Sequence, residues 1–123
     1  MEYLIDEGVA DGDRIFLLGF SQTCALNFKF AFTHPRHLRG VIGICGGIPG
    51  DWDPADHYKS IDADVLYLSG TRDEFYTPER IADFPDKLRQ RAREVTAKSY
   101  EAGHEMIQPM RDDVKGWLTV RAG

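Results

Sequence analysis

Four apolar runs punctuate the chain, each four or five residues long and each followed by turn-forming residues: 14–18, 41–45, 65–68 and, more weakly, 96–100. The first three carry almost no polar residue, the pattern of parallel strands covered on both faces, whereas 96–100 alternates and reads as a strand nearer the sheet edge. Between them the period changes. Ile81, Phe84, Leu88, Ala92 and Val95 recur at three- and four-residue steps, and Thr77-Pro78-Glu79 has the cap, first-turn proline and acid of a helix start. Pro85 predicts a kink or a break in that helix. The basic residues Lys87, Arg89, Arg91 and Arg93 fall mostly between the apolar positions and predict a solvated face.

Residues 22–33 fit two periods. Leu26, Phe28, Phe30 and Phe32 alternate as in a strand, yet drawn as a helix Cys24, Ala25, Phe28, Ala31 and Phe32 share one face and Leu26 and Phe30 another. Helix is preferred, because the chemistry proposed for Ser21 needs one directly after it. Residues 2–8 predict the last turns of a helix ending at Gly8, Asp11-Gly12-Asp13 a turn, Thr33-His34-Pro35 the end of the helix that follows Ser21, and 106–120 a closing helix. Strands alternating with helices predict an α/β fold, a three-layer sandwich with a mostly parallel sheet.

Composition excludes more than it selects. At 123 residues with 42% hydrophobic content the chain predicts one domain with its own core. Fifteen Lys+Arg against twenty Asp+Glu give a formal charge of −5, which argues against nucleic acid or an anionic membrane surface as partner. No run is long enough for a transmembrane segment and the first residues do not read as a secretory signal, so a cytoplasmic protein is expected. Cys24 and Cys45 lie in apolar segments without metal or redox spacing, His34, His37 and His57 have no ligand spacing, and no metal or cofactor is expected.

The chemistry-bearing residues sit just past the apolar runs. Gly19-Phe20-Ser21 follows the first run, Ser69-Gly70-Thr71-Arg72-Asp73 the third, and Gly103-His104 the fourth. G-x-S alone is common and fits a loop or cap serine equally. The order Ser, Asp, His, each at the carboxyl end of a strand, is the triad order of α/β-hydrolases and is far more specific. The loop Gly46-Gly47-Ile48-Pro49-Gly50-Asp51-Trp52 offers Ile48 and Trp52 as an acyl or alcohol pocket, although a loop tryptophan also commonly just covers a core.

Together these four segments resemble the phospholipase/carboxylesterase family of α/β-hydrolases, which includes acyl-protein thioesterases. The resemblance covers about the C-terminal half of a family domain, so a single partial domain over 1–123, lacking the N-terminal strands, is expected. It implies a carboxylic-ester hydrolase acting on small-molecule esters, with Ser21 as nucleophile, His104 as base, Asp73 as the orienting carboxylate and the Gln22 N–H as one oxyanion donor. Two departures stand out: Thr23 occupies the position where the elbow usually has glycine, and no strand or loop before residue 14 supplies the second oxyanion donor. The alternatives are a peptidase on the same fold and a non-catalytic module that pairs with another chain, or with its own copy, at an open sheet edge.

Overall fold

The computed structural model describes residues 2–6, 15–33, 38–52 and 58–122. The expected turn at 11–13, the helix stop at 34–35 and His34, His37 and His57 lie outside them. The elements are β1 (Glu2–Asp6), β2 (Ile15–Phe20), α1 (Gln22–Thr33), β3 (Leu38–Ile44), β4 (Asp64–Gly70), α2 (Pro78–Ile81), α3 (Phe84–Arg89), β5 (Glu94–Tyr100) and α4 (Gln108–Ala122). They form one sheet in the order β1-β2-β3-β4-β5.

β2 to β5 run parallel and β1 is antiparallel to β2, Leu4 facing Leu17. This corrects the helix expected over residues 2–8, and it moves the sheet edge on that side from β2 to β1. Tyr3-Leu4-Ile5 is a strand-forming run, and pairing satisfies the N–H and C=O groups that an uncovered β2 would present.

Alternation along the strands splits the core in two. Leu17, Val41, Val65, Tyr67 and Val95 face one side, where Cys24, Phe28, Ala31 and Phe32 of α1, Ile81 of α2 and Leu88 of α3 cover them. Phe16, Leu18, Ile42, Ile44, Leu66 and Leu68 face the other and are covered by Met110, Val114 and Trp117 of α4. Helices on both faces make the three-layer α/β arrangement. Among the described residues, no helix is long and apolar enough to cross a membrane.

The helix expected from Thr77 divides just before Pro85. Thr77 caps α2 by accepting from the Arg80 N–H, and Pro85 stands in the first turn of α3, where its missing N–H leaves no bond unmade. α3 ends at Arg89, so Ala92 lies beyond it and Val95 belongs to β5. Of the basic run expected as a solvated face, Arg89 and Arg93 are about half exposed, while the Arg91 guanidinium lies 4.3 Å from the centre of the Trp52 ring and Arg93 also pairs with Asp64.

Candidate active site

β2 ends at Phe20, and the chain reverses through Ser21 at φ +61°, a left-handed value unusual for a residue with a side chain. The Ser21 N–H bonds Ile44 O at 2.9 Å, prolonging the β2–β3 ladder by one rung, and the Ser21 C=O accepts from the Cys24 N–H at 3.1 Å in the first turn of α1. Ser21 is therefore clamped from both sides, with its Oγ raised above the carboxyl edge of the sheet. Thr23 departs from the usual elbow glycine without opening the turn. Its hydroxyl accepts from the Phe20 N–H at 2.9 Å and donates to the Phe20 C=O at 2.7 Å.

The neighbouring strand ends the same way. Cys45 has φ +51° and its N–H bonds Leu68 O at 2.9 Å. Gly46 follows, and a side chain there would put its Cβ 2.4 Å from Ser21 O, so only glycine lets this loop pass under the elbow. Past β4, Thr71 bonds Tyr100 O and Arg72 bonds Ala102 O, stitching the Asp73 loop to the His104 loop. Gly70 permits that crossing, since its Cβ would lie 2.4 Å from Ala102 O.

These loops bring together three residues separated by up to 83 positions. His104 Nε2 lies 2.9 Å from Ser21 Oγ and His104 Nδ1 lies 2.8 Å from Asp73 Oδ2. A carboxylate can only accept, so Nδ1–H donates to Asp73, which leaves Nε2 as the acceptor for the serine hydroxyl. Asp73 is 2% exposed, and its Oδ1 accepts the N–H groups of Phe75 and Tyr76 at 2.8 and 2.9 Å. Burial pushes its carboxyl up, but the Tyr76 N–H, the His104 ring and the Phe75 N–H outweigh it and hold it below the ordinary carboxylate range. The imidazole is walled by aromatics: ring centres of Phe20 and Phe75 lie 5.1 and 5.0 Å away, and Tyr76 stacks at 5.9 Å.

Gln22 opens α1, and the first N–H groups of a helix lack an intrahelical acceptor; Gln22 also lines the cavity at Ser21. Ile48 and Trp52 are placed differently from the other candidates. Trp52 is 1% exposed, stacked on Tyr58 and set edge-on against Phe32, and Ile48 packs on the same cluster. The open cavity of about 520 Å³ at Ser21 is instead lined by Gln22, Phe75, Tyr76, Arg80 and His104. Phe75, Tyr76 and Arg80 escaped sequence reading, although an acid followed two and three residues on by N–H groups it accepts is a local turn signature that places Phe75 and Tyr76 beside Asp73.

Cys45, Asp73 and His104 each offer one ligand atom within 4.8 Å of the others. Two of those atoms are already joined by the His104–Asp73 hydrogen bond. Burial, and Asp73 after it, push the Cys45 thiol up to about 11, so it stands as a protonated neighbour of the carboxylate.

The sequence profile of the phospholipase/carboxylesterase family matches residues 1–121. The chain belongs to that family. Among solved structures this family member is similar to the Bacillus cereus carboxylesterase, at 18% identity with a TM-score of 0.77, covering 90% of this chain and 51% of that one. Arabidopsis thaliana SOBER1 matches at 21% identity and a TM-score of 0.79, over 88% of this chain and 53% of that one. Zea mays acyl-protein thioesterase 2 matches at 21% and 0.66, over 86% and 55%. The fold is thus shared with esterases and thioesterases, and the chain spans about half the length of each.

Proposed function

We propose that this chain carries the catalytic residues of a serine hydrolase for carboxylic esters or thioesters, with Ser21 as nucleophile, His104 as general base and acid, and Asp73 as the orienting carboxylate. The observation that carries this reading is the unbroken hydrogen-bond chain from Ser21 Oγ through His104 to Asp73. Ser21 Oγ attacks the acyl carbon as its proton passes to Nε2. Asp73 holds the tautomer and stabilises the imidazolium that results. The Gln22 N–H stabilises the oxyanion of the tetrahedral intermediate, and His104 then protonates the departing alcohol or thiol, leaving an acylated Ser21. Water, deprotonated by His104, releases the acid and restores the serine.

In this reading the chain is a partial α/β-hydrolase domain acting on small-molecule esters in the cytoplasm, and buried, unpaired Cys24 and Cys45 fit a reducing compartment. A second oxyanion donor would come from outside the described residues, and a site with one donor in place of two turns over roughly a hundred- to a thousandfold more slowly. Covalent trapping is therefore the stronger test. A fluorophosphonate should label Ser21, and Ser21→Ala should lose both label and p-nitrophenyl ester hydrolysis while its circular dichroism is unchanged. Folded protein that takes no label, or equal hydrolysis by Ser21→Ala, overturns the mechanism.

A second reading, a non-catalytic module that pairs with another chain or a second copy, is favoured by one feature of α1. Leu26 and Phe30 are 59% and 49% exposed, while the buried Asn27 amide beside them has no hydrogen-bond partner among the described residues. Association in sedimentation together with an unlabelled Ser21 would select that reading.

A further inference from the structure

Resting on the hydrolase reading, we propose that Arg80 selects substrates that carry an oxyanion, a carboxylate or a phosphate monoester, near the scissile ester. Arg80 lines the same cavity as Ser21 and His104. Its guanidinium is held there at two points. Nη1 donates to the Phe75 C=O at 2.7 Å, and Cζ stands 4.6 Å from the centre of the Tyr76 ring. Both anchors belong to the turn whose N–H groups grip Asp73, so the cation is tied to the same loop that orients His104.

Several other cations of this half of the chain are spent on carboxylates. Lys87 pairs with Asp83, Arg89 with Asp86, Arg93 with Asp64 and Asp62, and Arg121 with Asp64 and Glu94. Among the described residues no carboxylate pairs with Arg80. With Nη1 committed to Phe75, the Nε–Nη2 edge has no partner among the described residues, and that edge presents two parallel N–H groups at the spacing of two oxygens on one carboxylate or phosphate. In a chain of net charge −5, a held cation beside the candidate nucleophile favours an anionic substrate over its neutral counterpart. The remaining walls, Phe75 and Tyr76, supply apolar contact for a short uncharged portion.

The test compares matched esters on wild type, Arg80→Gln and Arg80→Lys. Hydrolysis of p-nitrophenyl hemisuccinate against p-nitrophenyl butyrate reads an anion on the acyl side; butyrylglycerol phosphate against butyrylglycerol reads one on the alcohol side. Wild type should prefer the charged member of at least one pair, and Arg80→Gln should lose about tenfold in kcat/KM for that member alone, consistent with a partly exposed charge-assisted contact. Arg80→Lys should recover part of the loss, and added salt should shrink the preference. Equal losses on charged and neutral esters would mean that Arg80 only braces the loop, and unchanged ratios in Arg80→Gln would refute selection outright. Failure of the hydrolase reading shows separately, as absent labelling and no turnover of either neutral ester. In that event calorimetric binding of monomethyl succinate to Ser21→Ala protein decides the anion site, which stands only if Arg80→Gln abolishes the binding.

Discussion

Ser21 occupies the left-handed region at φ +61°, which costs a residue with a Cβ about 1–2 kcal/mol relative to glycine. A strained residue persists where surrounding bonds over-determine it, and here Ile44, Cys24 and the Thr23 hydroxyl do so. Ser21→Gly should therefore unfold in urea with a free energy about 1 kcal/mol higher than Ser21→Ala, while both lack hydrolysis. Equal stability of the two variants would show that the turn is unstrained. G-x-S was visible in the sequence, but its strain was not, because nothing in Phe20-Ser21-Gln22 demands a positive φ. Thr23 illustrates the same limit: the sequence marked it as a departure from glycine, and only the backbone geometry reveals that its hydroxyl closes the turn.

At the scale of elements, local period and tertiary environment disagree most in α1. Alternation of Leu26, Phe28, Phe30 and Phe32 suits a strand, yet Cys24, Phe28, Ala31 and Phe32 pack on the sheet and leave Leu26 and Phe30 outside. The helix was legible only through the chemistry expected of Ser21. Val95 erred in the opposite direction, continuing a helical spacing that α3 abandons at Arg89. What fastens these elements is a polar clamp no period announces. Asp64, 4% exposed at the start of β4, receives Arg93 Nε at 2.9 Å and Arg121 Nε at 2.8 Å, the latter from the last turn of α4. Asp64→Asn should cost about 2–3 kcal/mol in urea unfolding, less than a fully buried pair because Arg93 is half exposed. A loss under about 0.5 kcal/mol would reduce the clamp to an ordinary surface pair.

For the molecule as a whole, Asp64 and Asp73 determine the acid limit. Burial raises both carboxyls, and the Arg93 and Arg121 bonds on one and the Tyr76, His104 and Phe75 bonds on the other more than reverse it. Each folded pKa thus lies below its unfolded value of about 3.9. Their contribution is fully present above that value and is lost as pH falls through the folded one. The urea midpoint should hold steady near neutrality and drop below about pH 4, with a shallower drop in Asp64→Asn. A wild-type curve flat to pH 3 would contradict the depressed carboxyls.

Sequence alone determined the strands β2 to β5, the break before Pro85 and the Ser–Asp–His order, because hydrophobic period, proline and glycine act within a few residues. It did not determine β1, since whether Tyr3-Leu4-Ile5 becomes helix or strand depends on the ladder that β2 offers it. Nor did it reveal Phe75, Tyr76 and Arg80 at the cavity, because which loop faces the nucleophile is settled by how β3, β4 and β5 stack their carboxyl ends. Contacts between residues as distant as Ser21 and His104 exist only once the parallel sheet has aligned those ends on one edge.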